Sequence, residues 1–190
     1  LVVKAPVHSL FMDEIARVYP NSRFVFSHRS PVHVAPSSAK ILHPLSDMYL
    51  EAIDLAGEGA YTLDICKDYI SSTKELRSRV SLPLCTSKAL KAGMVAKEDC
   101  PRAFDVHIDQ LTSDPVQVVK DIYAHYDMGD VLPEHIGRIH HALQNAAKLQ
   151  KKPQPSSDGI LHHLHSTWGM DQRLIQTMFQ DYDKLLDQYF

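Results

Sequence analysis

The stretch Phe24-Val25-Phe26-Ser27-His28-Arg29-Ser30-Pro31 constrains this chain more than any other. An apolar run rich in Val and Phe ends in His28 and Arg29, and Pro31 opens a polar turn. The pattern predicts a buried strand, a turn, and a helix whose first turns carry Ser37. In an open α/β sheet, ligands bind beyond the carboxyl ends of the strands, where helix N-termini aim their N–H groups. Arg29 would occupy such an end. The hydroxyl of Ser37, eight residues on, could reach the same anion. A guanidinium and a hydroxyl converging on one phosphate make a chemically sensible anion site. The plainer alternative is a surface arginine and a capping serine.

Composition narrows the classes. The chain has 190 residues, 44% hydrophobic and 23% charged, which fits one soluble globular domain over 1–190. A net charge of −3 leaves no basic excess for a nucleic-acid partner. Cys66, Cys85 and Cys100 are widely spaced and odd in number. They make neither a zinc pattern nor a disulfide framework, which favours a reducing compartment. No apolar run approaches transmembrane length and no signal-peptide pattern is present, so cytoplasm and organelle both stay open. Leu1-Val2-Val3 reads as the middle of a buried strand, as expected of a portion of a longer chain.

Along the chain, Leu1 to Lys4 is a strand candidate, and Pro6 stops it. Ser9 to Tyr19 reads as a helix with Leu10, Phe11, Ile15 and Val18 on one face. Arg23 to Ser27 is the next strand, so residues 1–27 predict a parallel β-turn-α-β unit. Val32 to about Leu50 is helical, with Pro36 near the first turns. More helix from Glu51 ends at Gly59, and Tyr61 to Leu82 forms a long amphipathic helix. Ala103 to Ile108 alternates as a third strand. Asp114 as N-cap and Pro115 at N1 start a helix to about Tyr126. Further helices span Pro133–Leu149 and Asp171–Tyr189, with a polar, proline-rich loop at Lys151–Gly159 between them.

Lys4 would end the first strand, and His8 would lie near the start of the following helix. Parallel neighbouring strands would bring Lys4, His8 and Arg29 to one sheet edge. Cations there can absorb developing charge while a histidine removes a proton from an acceptor hydroxyl. The twelve histidines include His140-His141 and His162-His163-x-His165. Adjacent histidines on a helix point in different directions and lack partners at ligand spacing, so no metal site is expected.

Val3-Lys4-x-Pro6-x-His8, then Phe24-x-Phe26-x-His28-Arg29-x-Pro31, then Ser37, together resemble the sulfotransferase family. The branch is the one reading Lys-Ser-Pro-x-His and Thr-His-Arg-Asp-Pro. Asp109-Gln110-Leu111-Thr112-Ser113-Asp114-Pro115 resembles its Glu-Asp-Leu-x-x-Asp-Pro, and Asp121-Ile122-Tyr123-Ala124-His125-Tyr126 its Arg-Ile-Tyr-x-His-Phe. His163-Leu164-His165-Ser166 with Trp168-Gly169-Met170, and Phe179-x-x-Tyr182, are similar to its closing motifs.

The resemblance implies a P-loop-like α/β fold: a small, mostly parallel sheet of about three strands here, flanked by many helices and incomplete at the N-terminus. It implies 3′-phosphoadenosine-5′-phosphosulfate as sulfuryl donor. Arg29 and Ser37 would hold the 3′-phosphate, His8 would be the base, and Lys4 would lie near the phosphosulfate. Lys151 and Lys152 sit where related enzymes close over the nucleotide. The family's Gly-rich strand-loop-helix would precede Lys4 and is not among these residues. Ser30 stands where the family has Asp, Gln110 replaces another Asp, and no Tyr separates His165 from Ser166. Two functions are therefore expected: a sulfotransferase acting on an unidentified hydroxyl or amine acceptor, or a non-catalytic sulfotransferase-like subunit with protein partners in a larger assembly.

Overall fold

The computed structural model describes residue 2 and residues 4–79, 81–149 and 167–190. In chain order, a 3₁₀ turn (Pro6–Phe11) runs into α1 (Met12–Val18), followed by β1 (Phe24–His28), α2 (Pro31–Tyr49) and α3 (Leu55–Arg79). Then come α4 (Ser87–Lys91), a 3₁₀ turn (Lys97–Asp99), β2 (Ala103–His107), α5 (Ile108–Ser113), α6 (Pro115–His125) and α7 (Pro133–Leu149). The helix that follows at Gln172–Tyr189 is α8 here.

The architecture is α/β. Strand β1 pairs in parallel with β2, with Phe24 opposite Ala103 and His28 opposite His107. Four of the five β2 residues are buried, as expected for a strand covered on both faces. Its other edge carries a single parallel bridge between Asp105 and Thr86. The sheet thus has two strands among the described residues rather than about three. Val2 and Lys4 are not in a strand, and Leu1 and Val3 lie outside the described residues. Among the described residues the parallel neighbour of β1 is β2, from far downstream. Pro6 offers no N–H to extend a ladder from so short a run.

The chain divides into two compact units. The first comprises Leu1–Ser22, Arg29–Ser81 and Ser156–Gln188; the second comprises Arg23–His28, Leu82–Pro155 and Tyr189–Phe190.

The first unit is built on α2 and α3. Val32, Ala35 and Ala39 of α2 pack with Leu63 and Cys66 of α3, and Trp168, Met170, Ile175 and Phe179 complete the core. Ala35 and Ala39 are fully buried, and so small a side chain lets the helices approach closely. Pro31 sits at N1, where a missing N–H is harmless. Pro36 is five residues further in, past the four free N–H groups of the helix start. It and Pro44 each remove one helical bond. The predicted helix end at Gly59 is not observed: α3 starts at Leu55 and carries Gly57 and Gly59 inside it. The Asp54 carboxylate accepts from Ala56 N at 3.1 Å and marks the start. Gly59 is where the backbone of Trp168 comes closest, so a Cβ there would collide with the Trp168 carbonyl. Gly169, at φ 61°, turns the chain away immediately afterwards.

In the second unit Phe104 and Val106 of β2 pack with Val118 and Tyr126. The Tyr126 hydroxyl donates to Phe24 O at 2.7 Å, tying the end of α6 to β1, and burial pushes its pKa up. Asp114 accepts from Gln117 N at 3.0 Å with Pro115 at N1, as the sequence predicts. Cysteine usage differs from expectation. Cys85 and Cys100, both fully buried, form a disulfide, and Cys66 is the free thiol. The spacing of 15 carries no motif. The pair meets because Leu82–Thr86 runs beside β2, whose entry begins at Cys100. A disulfide in the core removes the ground for expecting a reducing compartment.

Candidate functional site

The described candidate residues, Lys4, His8, Arg29 and Ser37, all belong to the first unit. Arg29 is exposed and directly precedes Ser30, the N-cap of α2. Ser37 is exposed two turns inside the same helix. Lys4 is exposed in the segment before the first 3₁₀ turn. His8 is half-buried within that turn, its backbone N–H donating to Ala5 O at 3.1 Å. Among the described residues, no carboxylate pairs with Lys4, Arg29 or the His8 imidazole. Lys151 and Lys152 lie outside the described residues, as do His162, His163 and His165.

The register of α2 against α3 relates these groups. Ser46 Oγ donates to Glu58 Oε1 at 2.7 Å, and Ser38 hydrogen-bonds Cys66. Eight residues along α2 thus match eight residues back along α3, and the helices run antiparallel. That register sets the N-terminal half of α2 beside the C-terminal half of α3. The 3₁₀ turn that holds His8 packs on α3, with Ser9 and Leu10 lining a cleft together with Ser72, Glu75 and Leu76 of its C-terminal half. The cleft, of about 240 Å³, is also lined by Met12 and Glu14, with the Asp13–Arg79 ion pair at its rim. Packing on α3 thus relates the turn that bears His8 to α2.

Ser30 does not cap α2 with its side chain. Its hydroxyl donates to Asp183 Oδ1 of α8 at 3.2 Å. Burial raises the Asp183 pKa against this hydrogen bond, and Asp187 raises it further. A carboxylate at position 30 would face Asp183, so the serine there is matched to its partner. Gln110 is likewise engaged locally, its Oε1 accepting from His107 N at 3.1 Å to close the start of α5.

Two polar clusters escape sequence reasoning. In the second unit, His28 Nε2 lies 2.7 Å from Asp105 Oδ1, both buried, and Cys85 N donates to Asp105 Oδ2 at 2.7 Å. His28 is thus a buried partner of Asp105. The available signal was one acidic residue inside an apolar strand run. In the first unit, buried Glu58 accepts from Ser46 and from His43 Nδ1, the latter at 2.9 Å. Burial would raise the Glu58 pKa, but the hydrogen bonds from Ser46 and His43 and the charge of His43 outweigh it and hold the carboxyl below its ordinary range. His43 and Glu58 lie fifteen residues apart across the α2–α3 turn. Only the antiparallel register makes them neighbours.

No group of three or more potential metal ligands occurs among the described residues. No helix searched is long and apolar enough to cross a membrane.

The family model described as the sulfotransferase family matches residues 1–130. No curated protein and no solved structure matches the chain.

Proposed function

The chain belongs to the sulfotransferase family, and from that premise we propose that it transfers a sulfuryl group from 3′-phosphoadenosine-5′-phosphosulfate to a hydroxyl or amine acceptor. One observation carries the reading beyond the family: Arg29 and Ser37 are both exposed along one helix start, and Arg29 has no carboxylate partner among the described residues. An unpaired guanidinium and a free hydroxyl suit a phosphate monoester.

In this reading Arg29 and Ser37 hold the 3′-phosphate and fix the donor's position. His8 takes the proton from the acceptor as its oxygen or nitrogen attacks sulfur. The new bond to sulfur forms while the bond from sulfur to the bridging 5′-phosphate oxygen breaks, releasing 3′-phosphoadenosine-5′-phosphate. Lys4 offsets the negative charge gathering on that leaving oxygen. Such a transfer depends mostly on in-line positioning and charge stabilisation. The cleft beside the 3₁₀ turn gives an acceptor a place next to the segment that carries His8.

The test is calorimetric titration of the full-length protein with 3′-phosphoadenosine-5′-phosphate, followed by transfer of radiolabelled sulfuryl to a panel of hydroxyl and amine acceptors. Arg29→Ala is expected to lower nucleotide affinity at least tenfold, the loss of a charge-assisted phosphate contact. His8→Ala is expected to leave nucleotide binding intact and remove transfer. An intact protein that does not bind the nucleotide refutes the proposal.

A further inference from the structure

The exposed face of α2 carries more than Ser37. Val32, Ala35, Pro36 and Ala39 are buried, and His33, Ser37 and Lys40 form the opposite, exposed stripe at spacings i, i+4 and i+7. Lys40 therefore lies one turn beyond Ser37 on the same face. Helical side chains lean back toward the N-terminus, so the Lys40 stem covers the turn that holds Ser37. The residues from Pro31 to Ser46 contain no Asp or Glu. Among the described residues neither Lys40 nor Arg29 has a carboxylate within ion-pair distance, whereas Lys91 and Lys97 are paired with Asp121 and Asp127. Among the described residues the Ser37 hydroxyl has no hydrogen-bond partner either, unlike that of Ser46, which bonds Leu42 O and Glu58.

We propose that Lys40 is a second cation of the anion site on α2, holding the phosphate monoester at Ser37 from the side opposite Arg29. The inference rests on the donor-site reading above and adds a residue to it. A phosphate monoester carries close to two charges at neutral pH and has three acceptor oxygens. Arg29, at the helix start, serves one side of it. Lys40, approaching from one turn further along the helix, serves the other, and Ser37 sits between them. A phosphodiester or a sulfate ester carries a single charge to share between two cations, so Lys40 favours nucleotides with a terminal 3′-phosphate.

The experiment compares two ligands on three proteins. Full-length wild type, Lys40→Ala and Lys40→Arg are titrated calorimetrically with 3′-phosphoadenosine-5′-phosphate and with adenosine 5′-phosphate. Lys40 is exposed and outside the core, so both variants keep the fold, which circular dichroism verifies. Lys40→Ala is expected to weaken the 3′-phosphorylated ligand about fivefold, the upper range for an exposed ion pair. Lys40→Arg restores it, and binding of adenosine 5′-phosphate is unchanged. Equal weakening of both ligands, or no change in either, overturns the role of Lys40 while leaving the donor site standing. A wild type that binds neither ligand overturns both readings.

Discussion

Replacing Gly59 by alanine tests the packing on which the first unit depends. In an open helix this exchange favours folding by about 1 kcal/mol, because alanine loses less backbone freedom than glycine. At position 59 the added Cβ meets the carbonyl oxygen of Trp168, a backbone atom that cannot swing away. The Trp168 side chain is itself buried in the core with Met170 and Ile175. Relief would require moving that segment off α3, and overpacking of this kind typically costs about 1–3 kcal/mol. The same substitution at Gly137 in α7 meets nothing within 4 Å and should show the helix preference alone. The helix preference is common to both, so the two variants are expected to differ by the overpacking cost, about 1–3 kcal/mol, with Gly59→Ala the less stable. At about 2–4 °C per kcal/mol for a chain of this size, the separation is readily measured in thermal melts and urea titrations. Should Gly59→Ala stabilise as Gly137→Ala does, the close approach of Trp168 to α3 is wrong.

Other contacts give three more expected outcomes. Reducing the Cys85–Cys100 disulfide, or replacing both cysteines by serine, is expected to destabilise by about 3 kcal/mol, the chain-entropy value for a closed loop of this size, and urea midpoints with and without reductant check it. Glu58 has a folded-state pKa below its ordinary 4.5, so its contribution is present above pH 4.5 and is lost as pH falls through the lower folded value. Glu58→Gln should flatten that acid limb in stability measurements between pH 3 and pH 6. Ser30→Asp places a second carboxylate against Asp183, whose pKa burial already raises. The variant should lose about 1–2 kcal/mol at neutral pH and recover as pH falls toward the ordinary Asp value of 3.8, the opposite sign to Glu58.

Much of the local structure is legible in the residues alone. The apolar run at Phe24–His28, the Asp114-Pro115 helix start and the long helix from Pro133 each depend on groups a few positions apart. So does the exposed stripe of α2, because helical periodicity by itself puts His33, Ser37 and Lys40 on one face. The departures from the sequence reading have a common origin. Gly59 reads as a helix end because glycine is a poor helix former, yet the Trp168 backbone needs that position bare. The pairing of β1 with β2 joins residues some eighty positions apart, which no local pattern announces. The disulfide is invisible in the sequence because a spacing of 15 says nothing until Leu82–Thr86 lies beside β2.

The residues by themselves determined the strand at Phe24–His28, the helix starts at Pro31 and Pro115, the long helix from Pro133, and which face of α2 is apolar. Tertiary structure alone decided that His28 pairs with Asp105, that Glu58 gathers His43 and Ser46, and that Cys85 meets Cys100. The division is physical. Periodicity, capping and turn chemistry act within a turn or two of the backbone, whereas these partners meet only after the chain has reversed direction and the buried faces of its elements have chosen one register.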